Sequence, residues 1–161
     1  MKVFSVSLGT LDIGVAIFDH GQLSHWQTHP FRGPWSDEKL EAILKRCDRY
    51  ITRYRVGYVV IKIPPISHIS KTYLTLLKRL SDLAVERDCI VTCTTKSDLK
   101  GIVSDITNPK TLISYVTLHH PILLPEQARE LASKRPYHIK MFEAVLAGML
   151  YIQQLIEDNR S

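Results

Sequence analysis

The run Tyr58-Val59-Val60-Ile61-Lys62-Ile63 constrains this chain more than any other segment. It is β-branched or aromatic at nearly every position, and Pro64-Pro65 closes it. A strand with one wet face alternates apolar and polar residues. A strand apolar at consecutive positions is the parallel strand of a sheet that helices cover on both faces. The flanking sequence supplies such helices. Ser36 followed by Asp37 and Glu38 is a good helix start, because a serine oxygen accepts from a free backbone N–H and acids favour the positive end of the helix dipole. Leu40, Ile43, Leu44, Cys47 and Ile51 then recur at helical spacing to about Arg53. Beyond the central run, Tyr73, Leu76, Leu77, Leu80, Leu83 and Ala84 repeat that period, and residues 89–94 read as another strand. Helix crossovers of this kind join parallel strands.

The first thirty residues differ in character. Residues 2–7 alternate with a period of two, residues 13–19 form a second apolar run after a turn containing Gly9, and His20-Gly21 reads as a hairpin turn. Residues 22–28 alternate again around Leu23 and Trp26, which predicts a three-stranded antiparallel meander. Past the last strand the reading is helical. Asn108-Pro109 is a cap and first position for Leu112, Ile113 and Val116, and Pro121 and Pro125 interrupt. Residues 126–134 suit a further turn or two, and 139–156 carry Phe142, Val145, Leu146, Met149, Leu150 and Leu155 on one side of a closing helix. With 161 residues, 45% of them hydrophobic, one α/β domain over residues 1–161 is expected, most of its core lying under the Leu40 and Leu76 helices.

Charge narrows the classes of partner. A net charge of +5 and a pI near 9.2 favour contact with polyanions. The longest unbroken apolar runs are too short to cross a bilayer, and Met1-Lys2 does not open a signal peptide, so a cytoplasmic chain without membrane contact is expected. Cys47, Cys89 and Cys93 have no zinc-type spacing and read as small apolar residues of a reducing compartment. Trp26, Trp35, Tyr50, Tyr54 and Tyr58 show no interleaving with basic residues that would indicate a base-stacking platform.

The segment Val6-Ser7-Leu8-Gly9-Thr10-Leu11-Asp12-Ile13-Gly14-Val15-Ala16-Ile17 resembles the first-hairpin motif of RuvC-type Holliday-junction resolvases and their YqgF-type relatives. In those families an Asp ends the first strand, a Gly two residues later makes the turn, and a second Gly opens strand two. Gly9 and Gly14 match both glycine places. Asp98-Leu99-Lys100 and Asn108-Pro109-Lys110 fall where RuvC-type proteins carry lysines, and Glu143-Ala144-Val145-Leu146-Ala147 is similar to the Asp-Ala-x-Ala pattern of their last helix. The resemblance implies a ribonuclease H-like fold: a mixed five-stranded sheet, three strands antiparallel and then two parallel, flanked by helices. It also implies phosphodiester hydrolysis by divalent ions held on carboxylates.

The departures from the motif fall on the chemistry. Ser7 stands in place of the hairpin Asp, Lys62 in place of the Glu on the fourth strand, and Lys140 in place of an acid at the last helix; only Glu143 stays acidic. Magnesium needs hard, charged oxygen ligands. An ammonium about 4 Å from a positive unit charge costs about 4 kcal/mol at an effective dielectric of about 20, and about twice that against a divalent ion. No metal and no catalytic residue is therefore expected at Ser7, Lys62, Lys140 and Glu143. Mg²⁺ enters only for a rearranged acidic set drawn from Asp12, Asp19 and Glu143, although turn aspartates mostly accept from local backbone.

Lys62, alone among apolar neighbours, either reaches solvent at a sheet edge or is held by a carboxylate. If the resemblance holds, it meets Glu143 in a salt bridge with Ser7 as third polar partner. His138 reads as a helix-start histidine rather than a base, and His119-His120 as a helix end. A basic face of Lys96, Lys100, Lys110, Lys134, Arg135 and Lys140 could survive loss of the metal, since a phosphate contact needs only a reachable cation. The expectation is a catalytically degenerate resolvase-like protein that binds branched or duplex DNA, or a nucleic-acid-processing partner, and that could form a homodimer. Two other readings stand beside it: an active metal-dependent endonuclease with rearranged acids, and a scaffold or dimerisation module without a nucleic-acid role.

Overall fold

In the computed structural model, which describes residues 1–104, 106, 108–133 and 139–160, the Tyr58 run is an interior strand of a five-stranded sheet. The strands are β1 (Lys2–Ser7), β2 (Asp12–Asp19), β3 (Gln22–Pro30), β4 (Tyr58–Ile63) and β5 (Ile90–Thr95), in the spatial order β3-β2-β1-β4-β5. β1 pairs antiparallel with β2 and β2 with β3, whereas β4 runs parallel to both β1 and β5. These are the directions that the meander and the helix crossovers predict.

Helices clothe both faces. α1 (Asp37–Arg53) and α2 (Lys71–Glu86) start at Ser36 and Ser70, whose hydroxyls accept from the N–H groups of Lys39 and Tyr73. They bury Leu40, Ile43, Leu76 and Leu80 against Phe4, Val6, Val15, Ile17, Val59 and Ile61. Alternation along each strand sends Val3, Ser5, Ala16, Phe18 and Val60 to the other face, beneath α4 (Pro109–His119) and the closing helix α6 (Ile139–Arg160). Among the described residues the second layer holds as many buried side chains as the first, so the expectation that α1 and α2 carry most of the core is corrected. α5 (Leu124–Ala132) follows a single 3₁₀ turn at Pro121–Leu123.

α6 also departs from its predicted one-sided stripe. Residues 141–150 are buried all round, because the sheet lies on one side and α4 on the other. By length and composition this helix could cross a bilayer, a property that scanning for unbroken apolar runs overlooks; here the apolar surface is spent inside the fold. Its approach to the sheet is close. Ser5 Oγ donates to the Ala144 carbonyl at 2.6 Å, and the Gly148 backbone rests against the Phe18 ring. α3 (Lys96–Ile102), seven residues long, is too short to show a helical period. A capping box defines it, Thr95 Oγ1 accepting from the Asp98 N–H and Asp98 from the Thr95 N–H.

Candidate functional site

The register of the sheet sets Gly14, Ser7, Lys62 and Thr94 side by side across four strands, at the C-terminal ends of β1, β4 and β5. All four lie on one face of the sheet, and the first turns of α6 pass over Gly14, Ser7 and Lys62. At such strand ends the open crevice of an α/β sheet normally holds its ligand.

Lys62 Nζ lies 2.6 Å from Glu143 Oε2, with side chains only 12% and 11% exposed. Of the two readings open to this lysine, the carboxylate-held one is correct, and the pairing expected from the motif alignment is present. Ser7 is 1% exposed between β2 and β4, but among the described residues no hydrogen bond joins its hydroxyl to either partner. The expected third polar contact is therefore not made. Tyr73, from α2, donates its hydroxyl to the Leu8 carbonyl at 3.0 Å. Burial first, then Cys93 and the nearby Glu143, push that phenol well above its ordinary range, so it stays a neutral donor.

A second pair lies beside the first. Lys140 Nζ sits 2.7 Å from Asp12 Oδ1 and also donates to the Asp12 carbonyl at 3.2 Å. Gly14 permits this seat: a Cβ on it would lie 2.1 Å from the Lys140 carbonyl carbon, so only glycine lets the first turn of α6 rest on β2. Sequence spacing does not single out Asp12 as the partner of Lys140, since a turn aspartate reads as a local backbone acceptor. The signal that could have found it is a second lysine at a former acid position, which needs a counter-charge once buried. Asp19, by contrast, pairs in register with Lys2 at the far end of β1. Five residues of strand, about 16 Å, separate it from Ser7, so it cannot join an acidic set with Glu143.

The charges of Lys62, Glu143, Lys140 and Asp12 cancel. A divalent ion placed here would face two ammonium groups, and each carboxylate is already satisfied at hydrogen-bond distance, so this donor set does not fit magnesium or manganese. Among the described residues no three His, Cys, Asp or Glu side chains converge elsewhere. Of the predicted basic face, Lys100 and Lys110 are exposed, Lys96 is half-buried at the start of α3, and Lys140 is committed to Asp12. Lys134, Arg135 and His138 lie outside the described residues. His119 closes α4, its Nδ1–H donating to the Tyr115 carbonyl, and His120 is the C-cap, as the helix-end reading expects.

No family model matches this sequence, and no curated protein matches it. Solved structures do. RuvC of Thermus thermophilus in complex with a Holliday junction substrate superimposes with a TM-score of 0.74 at 16% identity, covering 98% of this chain and 96% of that one. A further structure of Thermus thermophilus RuvC gives 0.71 at 14% identity, over 98% and 97%. Fowlpox virus resolvase, solved with its substrate Holliday junction DNA, gives 0.60 at 16% identity, over 94% and 99%. The architecture is thus a RuvC-like, ribonuclease H-like fold along nearly the whole chain.

Proposed function

We propose that this chain uses a resolvase-type fold to bind branched or duplex DNA and does not cut it by metal-dependent hydrolysis. One observation carries the reading: at the strand ends, where hydrolysis of this kind needs a cluster of free carboxylates, Glu143 and Asp12 are each neutralised by a lysine, Lys62 and Lys140. An ammonium has taken the electrostatic place of the ion, which preserves the packing of α6 on the sheet while removing the Lewis acid. DNA as the ligand is supported by the net charge of +5 and by the Holliday junctions bound in two of the similar structures. Lys96, Lys100 and Lys110, with Lys134 and Arg135, supply the phosphate contacts in this reading. Lys140 serves to position α6.

The test measures binding and cleavage of a labelled four-way junction side by side, with Mg²⁺ and with Mn²⁺. Binding that weakens steeply with salt, with no nicked product in either metal, is the expected outcome. Symmetric nicking that disappears in Glu143→Gln would establish an active nuclease. A protein that retains neither junction nor duplex at low salt would leave the scaffold reading in place of DNA binding.

A further inference from the structure

On the sheet face opposite α6, helix α1 and the edge strand β3 enclose a cleft of about 310 Å³. Its α1 wall carries Arg46, Arg49, Tyr50, Arg53 and Tyr54, spaced i, i+3, i+4, i+7 and i+8, which is the spacing of one continuous helix face. Arginine and tyrosine thus alternate along this face, but Tyr50 is buried against Phe4, so the expectation that no base-stacking platform forms is not overturned. The interleaving is helical and invisible to a linear scan. The β3 wall brings His25 and His29 from the same side of the strand.

Hydrogen-bond chemistry settles the protonation of this wall. A guanidinium only donates, so Arg46 Nη1 donates to His29 Nδ1, and the His29 proton must sit on Nε2. From there it is donated to the Tyr50 hydroxyl, 2.5 Å away, and the hydroxyl proton is left to point at His25 Nε2 at 3.1 Å. Both histidines are then neutral. Burial, with Arg46 and His25 adding to it, holds His29 down to about 4. Nothing on the wall offsets the arginines. Among the described residues no carboxylate lies within 4.0 Å of Arg46, Arg49 or Arg53, and Asp48 on the same helix accepts from Nε and Nη2 of Arg87, at 2.9 and 3.0 Å.

Three uncompensated guanidinium groups, one of them over the half-buried Tyr54 ring, mark an anion site, and their arrangement says what kind. From Arg46 to Arg53 is seven residues, about 10 Å along the helix axis. A single small anion would need the three to converge, whereas a nucleic-acid strand presents a phosphate roughly every 3.4 Å of duplex rise. We propose that the α1–β3 cleft is a second polyanion site, in which Arg46, Arg49 and Arg53 contact phosphodiesters along one nucleic-acid strand. The proposal rests on the reading that this protein binds nucleic acid, and it adds a surface on the sheet face opposite the strand-end site.

The test is the salt dependence of junction and duplex binding, followed by fluorescence anisotropy, in Arg49→Gln/Arg53→Gln. Both side chains are exposed, and Arg46, which orders His29, is left in place. The expected result is a slope of log affinity against log salt smaller by roughly two, about 0.9 for each phosphate that is no longer neutralised. Arg49→Lys/Arg53→Lys should keep the wild-type slope, and Lys45→Gln/Lys71→Gln, an equal charge loss elsewhere on α1 and α2, should leave it unchanged. Wild-type binding with an unaltered slope in the arginine double variant overturns the cleft and leaves the proposed function standing, whereas a wild type that binds no DNA overturns both. An equal loss in the lysine control, or a nucleoside monophosphate that competes as well per phosphate as the junction does, also overturns the strand site.

Discussion

Lys62 and Glu143 are each about nine-tenths buried, and neither could hold its charge there without the other. Lys62→Met leaves an uncompensated carboxylate under α6 and should lower unfolding free energy by about 3 to 5 kcal/mol. Adding Glu143→Gln should restore much of that loss, and urea denaturation of the two variants checks it; equal stabilities for the single and double variants would mean the pair is not coupled. His29 gives a pH dependence. The unfolded chain takes up the imidazole proton near 6.5 and the folded chain only near 4, so between those values the unfolded state binds more protons and stability falls as pH is lowered. The loss should be of order 2 kcal/mol from pH 7 to 4. His25 and His120, both lowered first by burial, act in the same direction. Thermal unfolding across that range should therefore show a shallower pH slope in His29→Gln, though not a flat one.

At the scale of elements, the decisive contact is the first turn of α6 lying on the β2 backbone at Gly14. A methyl group there cannot be absorbed by a flexible side chain, since what it meets is the backbone of Lys140 and Met141. Gly14→Ala should cost about 1 to 3 kcal/mol by overpacking. Because Lys140 and Glu143 both belong to these turns, the same shift should loosen both ion pairs. Amide exchange in residues 139–143 would report it; protection equal to wild type would show that the helix does not lean on this glycine.

At the scale of the whole molecule, one sheet separates two apolar layers, of equal membership among the described residues. Leu80 and Leu146 are fully buried in opposite layers. Leu80→Ala and Leu146→Ala should each cost about 2 to 5 kcal/mol. Since both layers share every interior strand, each variant should still unfold in one transition. Two resolved transitions in either would show that the layers are separate cooperative units.

Much of this was legible in the sequence, for reasons that are local. Period-two and period-3.6 patterns are written by which face a residue must bury, so β1 to β5, α1, α2, α4 and α6 could be read from apolar spacing, and the helix starts from Ser36 and Asn108. The short glycine and acid motifs carried the fold and even the Lys62 and Glu143 pairing. What the sequence could not carry depends on distances across the fold. The partnership of Lys140 with Asp12 joins residues 128 apart in the chain, and the cleft of α1 and β3 exists only once a helix face and a strand face are laid together. α6 reads as a one-sided helix because the burden of α4 on its outer side is a tertiary fact. Patterning records what each segment needs to bury; only the assembled sheet and its two helical layers decide which charges meet.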